Sequence, residues 1–192
     1  MVKTLDLGCG RHKIPGAIGV DISPETRADI IHELNNFPYP FEASSFEVIH
    51  CRHIIEHIED LVSFFNEIHR IGKRGCLVKG VMPHFSSACS YSDPTHRHHL
   101  GVRVFEFFCS GEIIKRKWLK GRFDRLLGMR WPNIDYYNKA KFRLRSIHLE
   151  FSPIFRKLGI EWLANRDLDF YEFYLCGFLP ARDIHFELEV VK

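Results

Sequence analysis

Thr4-Leu5-Asp6-Leu7-Gly8-Cys9-Gly10 is the stretch on which the fold turns. Val2 to Leu7 is a short, mostly apolar run with one acid inside it, and it stops at two glycines. This pattern predicts a buried strand that turns sharply at its carboxyl end. Gly8 and Gly10 permit a tight turn and let a ligand approach main-chain atoms. In an open α/β sheet, ligands bind just outside the carboxyl ends of the strands. A glycine pair alone reads equally well as a plain tight turn. The second signal is Ala17-Ile18-Gly19-Val20-Asp21-Ile22, another strand-like run with an acid near its end. A carboxylate at the tip of a second strand can accept hydrogen bonds from a ribose diol. Glycine turn first and acidic tip second is far more selective than either alone.

The 192 residues, 45% hydrophobic and 27% charged, predict a single domain over residues 1–192 with a substantial core. No apolar run approaches the ~20 residues of a membrane span. No apolar signal segment precedes Asp6. Six cysteines without a Cys-x-x-Cys pair predict reduced thiols and a cytoplasmic protein.

Arg11 to Gly16 is too short for a full crossover helix, so it must be one turn or a loop. Turn amides would then take the place of a helix N-terminus at a ligand. Lys13 reads as a solvated surface lysine, with reach to a carboxylate as the alternative. Asp29 to Leu34 is the expected third strand. Phe37-Pro38-Tyr39-Pro40-Phe41 lacks two backbone donors and reads as a rigid aromatic loop. Phe46 to Cys51 is the fourth strand. A helix from about Ile54 to Ile71 follows, with an apolar stripe at 54, 58, 61, 65 and 68, and Gly72 ends it. Cys76 to Met82 is the fifth strand.

These segments resemble the class I methyltransferases that use S-adenosylmethionine, in the branch labelled type 11. Leu5-Asp6-Leu7-Gly8-Cys9-Gly10 is similar to their motif I, and Gly19-Val20-Asp21-Ile22 to their second motif. Asp29 to Asn35, Phe37 to Phe41 and Ser45 to Ile49 resemble the third and fourth motifs, and Glu56-His57 the pair that often follows. The resemblance covers residues 1 to about 85. It implies an α/β, Rossmann-like, mostly parallel seven-stranded sheet with an antiparallel last strand, here with a shortened first crossover. It implies S-adenosyl-L-methionine across Asp6, Leu7, Gly8, Cys9 and Gly10, with Asp21 and Ile22 at the ribose. Glu33, Leu34 and Asn35 would flank the adenine, and Cys51, Arg52 and His53 would lie beside the methionine end.

His53-Ile54-Ile55-Glu56-His57 also has the H-x-x-E-H spacing of a zinc peptidase. The strand series upstream predicts the same segment as the start of a helix, so no metal is assigned. Pro83 to Gly101 is a polar loop with His84, Asp93, His96, His98 and His99, on the ligand side of strand five. Its histidines suit general-base or metal-binding roles. His96, oriented by Asp93, is the candidate catalytic base. Val102 to Cys109 reads as a short helix making an apolar lid or plug.

Residues 113–145 hold eleven Lys or Arg against two acids, a net of +9 in a chain of net +3, with aromatics interleaved. Such a segment suits an anionic partner as well as a solvated basic face. Residues from about 84 to 145 are thus expected to form a substrate-side loop, cap and basic insert. Arg143 to Phe151 is a sixth strand, Phe155–Asn165 and Phe170–Phe178 are helices, and Asp183 to Val191 alternates as an edge strand does. The expected activity is methyl transfer to an oxygen of a small-molecule, sugar or polysaccharide-related acceptor, an anionic one where the basic insert meets it. A nucleic-acid methyltransferase using the basic insert and a non-catalytic cofactor-binding module are the alternatives.

Overall fold

Leu5 and Leu7 are fully buried in β1 (Thr4–Leu7), the strand the glycine turn ends. The computed structural model describes residues 3–109 and 141–192. Around β1 it assembles β2 (Ile18–Asp21), β3 (Ile30–Ile31), β4 (Phe46–Arg52), β5 (Gly72–Pro83), β6 (Lys141–Glu150) and β7 (Asp183–Val191). The sheet has seven strands in the order β3-β2-β1-β4-β5-β7-β6. Strands β1 to β5 run parallel, and β7 is antiparallel to both β5 and β6. This is the Rossmann-like α/β sheet with an antiparallel last strand. The strand order reverses between β1 and β4, which puts the ligand crevice at their carboxyl ends.

One face of the sheet carries the core. Ile49, Cys51, Val78, Met82, Ile184 and Leu188 are buried there. Helix α1 (Leu61–Ile71) packs on them through Phe64, Phe65 and Ile68. Asp60 starts α1 by accepting from the backbone N–H groups of Val62 and Ser63, two donors the first turn leaves unpaired. The 3₁₀ segment Val102–Phe107 adds Phe105, whose ring lies 4.6 Å from that of Phe186. The opposite face carries His50, Arg52, Lys79, His185 and Glu187, all partly exposed, at the alternate positions of the same strands. Neither the β1–β2 nor the β2–β3 connection contains a helix. Those are the crossovers that would ordinarily cover a parallel sheet.

Several elements differ from the sequence reading. The helix expected from Ile54 is instead a 3₁₀ turn at Ile55–His57, with α1 beginning only at Leu61. His53 has φ 50° and Ile58 is extended, so helical backbone cannot run through. The third strand is only two residues long, because Leu34 to Asn36 fold into a lip held by the Tyr39 hydroxyl on the Leu34 carbonyl. A short helix α2 (Ala88–Ser92) interrupts the polar loop after β5, and the expected helix 155–165 is two, α3 (Pro153–Lys157) and α4 (Ile160–Arg166), parted by Gly159 at φ 76°. Helix α5 is Leu168–Tyr174. The Val102–Cys109 segment is no lid: Phe105 and Phe108 sit inside the main core, the latter 4.1 Å from the Phe65 ring. Lys13 is not simply solvated but pairs with Asp29 at 2.8 Å. Among the described residues no helix is long and apolar enough to cross a membrane.

Candidate functional site

The shortened first crossover is held by side chains. Asp6, fully buried, accepts from the Ile14 N–H at 2.9 Å and from Arg52 at 3.1 Å. Arg52 also donates to the His12 carbonyl at 2.7 Å. Gly19 leaves room for the Lys13 stem, which a Cβ there would meet at 2.5 Å. An ion-paired lysine stem and a buried carboxylate therefore do in this loop what a packed helix would otherwise do.

The turn amides are used internally. The N–H groups of Gly8 and Cys9 donate to the Val20 carbonyl, and that of Gly10 donates to Asp21 Oδ2 at 2.9 Å. Asp21 thus faces the glycine turn, its other oxygen accepting from Ser23 N–H at 3.1 Å. A carboxylate has about four acceptor sites, so both oxygens keep capacity for a ligand. Gly8 has φ 64°, and a Cβ on it would meet Ile54 at 2.7 Å, so the strand tip admits only glycine.

A cavity of about 530 Å³ opens at this tip. Cavities of 300–1,000 Å³ suit small molecules and cofactors. Gly8, Asp21, Ile22, Glu33, Leu34 and Asn35 line one side, and His57, Ile58, Glu59, Thr95 and Arg97 the other. Glu33 accepts from the backbone and side-chain N–H groups of Asn35 at 3.0 and 3.1 Å. Asn35 accepts in turn from Glu59 N–H at 2.8 Å, tying the two walls. Arg97 and His98 donate their backbone N–H groups to the Glu56 carbonyl, which fastens the 93–99 loop over the cavity.

Six of the residues expected around a cofactor therefore line one cavity. Leu7 and Cys51 are buried behind it, and Cys9 is packed beneath it. Burial pushes the thiols of Cys9 and Cys51 up, so both stay protonated. Asp6 and Arg52 brace the first crossover, and Arg52 faces the partly exposed side of the sheet. His53 lies on the turn after β4, and its hydrogen bond to Glu56 raises its pKa despite burial. His57, Thr95 and Arg97 were not expected at the cavity. Their place depends on the 3₁₀ turn and on a main-chain tie 41 and 42 positions apart in sequence, for which no local pattern exists.

His96 is almost buried beside this wall, its Nε2 3.9 Å from Asp93 and 4.0 Å from Glu56. Its ring meets that of cavity-lining His57 edge to face at 4.8 Å. His84 belongs elsewhere: fully buried, it joins Ser86 to Glu172 of α5. The zinc-peptidase motif does not form on a helix, since His53 precedes the 3₁₀ turn rather than sharing a face with His57. Most of the basic insert lies outside the described residues. Its last part, on β6 at the sheet edge away from the crevice, pairs Arg143 and Arg145 with Glu189.

Comparison with known proteins agrees with this geometry. Residues 5–78 match the family profile described as a methyltransferase domain, type 11. That match lies in the N-terminal part of the chain, where β1 to β5 form the sheet's parallel half. The fold resembles the crystal structure of a SAM-dependent methyltransferase from Archaeoglobus fulgidus, at 15% identity and TM-score 0.58, over 98% of this chain and 86% of that one. It also resembles one from Mesorhizobium loti, at 12% identity and TM-score 0.54, over 98% and 90% of the two chains. No curated protein matches the sequence. The residues present fit S-adenosylmethionine, the cofactor named for those two proteins: an acid at the β2 tip for a sugar diol, a side-chain-free β1 tip, and Ile22, Ile54 and Ile58 as apolar wall.

Proposed function

We propose that this methyltransferase transfers the methyl group to a hydroxyl of a small, sugar-like acceptor, and that the cavity at Gly8 and Asp21 holds its cofactor. The observation that carries the reading is Asp21, tied to the Gly10 amide and open to the cavity at the tip of β2. When bound, the cofactor supplies an electrophilic methyl group on a sulfonium. The chain's task is then to hold acceptor oxygen, methyl and sulfur in line. Glu33, Leu34 and Asn35 bound the adenine end in this reading, and the 93–99 loop bounds the acceptor end.

A hydroxyl must also lose its proton. His96 and Asp93 serve this need as part of a cluster with Glu56 and His57, because His57 and Thr95 are the members that reach the cavity. Asp93 acts on His57 through Thr95, whose hydroxyl donates to Asp93 at 2.6 Å and lies 3.0 Å from His57 Nδ1. Residues 93–99 form the acceptor side of a single domain in this proposal. Six free cysteines, four of them buried, fit a reducing cytoplasmic setting.

Calorimetry with S-adenosylhomocysteine tests the cavity. Asp21→Ala is expected to weaken binding by about 100-fold, the worth of two charge-assisted hydrogen bonds at ~1.5 kcal/mol each. Unchanged affinity in that variant would remove Asp21 from the site. A methyl-transfer assay against hydroxyl, amine and RNA acceptors then tests the acceptor class, and methylation of amines or RNA alone would refute the hydroxyl reading.

A further inference from the structure

We propose that Glu56, His57 and His96 bind one divalent first-row transition-metal ion beside the acceptor end of the cavity. The ion's suggested service to an acceptor rests on the methyl-transfer reading above; the ion site itself does not.

One donor atom from each of these three residues lies within 4.8 Å of the other two. Hydrogen bonding decides which ring nitrogens are free. His96 Nδ1 is 2.9 Å from the Ser90 carbonyl, which can only accept, so Nδ1 carries the hydrogen. The neutral ring then has its lone pair on Nε2, the atom that faces the Glu56 and Asp93 carboxylates at 4.0 and 3.9 Å. Thr95 spends its hydroxyl hydrogen on Asp93, so its oxygen accepts from His57 Nδ1–H. That leaves the lone pair of neutral His57 on Nε2 as well.

The cluster therefore gathers lone pairs and negative charge with no hydrogen to share among them. Glu56 Oε2 is buried and has no hydrogen-bond partner among the described residues, on a side chain only 3% exposed. A buried carboxylate oxygen left without a partner is costly unless a cation meets it. Histidines that hold a metal ordinarily donate their other ring N–H to a carbonyl or carboxylate. Here Ser90 supplies the carbonyl, and Asp93 supplies the carboxylate through Thr95. Two imidazoles and one carboxylate favour zinc, manganese, iron or cobalt over calcium and magnesium. Donors bound at about 2.1 Å stand roughly 3–3.5 Å apart, so small side-chain rotations complete the site. His53 Nδ1 lies 3.5 Å from Glu56 Oε1, the oxygen that His96 Nε2 also faces, so the unpartnered Oε2 is the oxygen left for an ion. A cation here would sit against His57 and Thr95 at the cavity wall, where its charge favours the ionised form of a hydroxyl.

The test uses untagged full-length protein stripped with a chelator and titrated with Co²⁺, followed by visible absorbance and calorimetry. One bound equivalent with ligand-field bands is expected, and a raised melting temperature. Glu56→Gln and His96→Ala should each weaken Co²⁺ binding by at least about tenfold and abolish the thermal shift, Thr95→Val should weaken it by about 10- to 100-fold, and His148→Ala, far away on β6, should not. Absence of stoichiometric binding would overturn the proposal, as would equal affinity in the wild type and both ligand variants. In the former case the cluster is satisfied by a proton instead. S-adenosylhomocysteine calorimetry on the same samples separates the two readings: its binding without Co²⁺ binding removes the ion alone, and its absence removes the cofactor cavity alone.

Discussion

The two faces of the sheet are built from the same strands and obey opposite rules. On one, Ile49, Val78, Met82, Ile184 and Leu188 are fully buried under α1 and the 3₁₀ segment. On the other, one residue along in each strand, His50, Lys79, His185 and Glu187 keep contact with water. Parallel strands usually read as unbroken apolar runs, because helices cover both sides. Here β4 and β5 alternate as antiparallel strands do. The difference teaches that helix cover and strand composition are matched. Where the crossovers are loops, the strands beneath them are polar, and local ties such as Asp6–Arg52 and Lys13–Asp29 replace a packed layer.

The contrast predicts a graded series. Phe65→Ala, on the covered face, removes a fully buried ring packed 4.1 Å from that of Phe108 and should cost about 3–5 kcal/mol in urea unfolding. Arg52→Met, on the other face, should cost about 2 kcal/mol, because buried Asp6 loses a charged partner. A loss below 0.5 kcal/mol there would mean that the crossover is not held by this tie. Asp29 gives a smaller, pH-dependent effect. The Gly19 N–H and then Lys13 hold its carboxyl below the usual range. A depressed carboxylate stabilises the fold above its unfolded pKa of about 3.9 and loses that contribution as pH falls through the folded value. The melting temperature of Asp29→Asn should therefore lie below that of the wild type at pH 7, and the gap should close on acidification. A gap constant with pH would refute the role. Lys79→Ala, which breaks only a half-exposed pair with Glu187, should change stability by no more than about 0.5 kcal/mol.

Sequence legibility followed the locality of the cause. The strand from Thr4, the turn at Gly8 and Gly10 and the acid at Asp21 depend on neighbours within a few positions, and they form as expected. The β7 strand was also legible, from strict alternation between Asp183 and Val191. The helix before Leu61 was not, because its apolar spacing persists through residues whose backbone is turned aside by His53 and by the bonds from Arg97 and His98. The cavity wall at His57, Thr95 and Arg97 was hidden for the same reason: two segments about forty residues apart are joined through one carbonyl. The Phe105 and Phe108 pair was legible as apolar, but not as core, since only the folded sheet says which surface waits for it.

Glu56 holds the 93–99 loop by its main chain while its side chain points into the histidine cluster. Roof and reactive wall therefore hang from a single hinge pin. In the methyl-transfer reading proposed above, a ligand that displaced the 93–99 loop would also move the residue that carries the cluster's carboxylate, so a substitution at Glu56 would be felt in both binding and turnover.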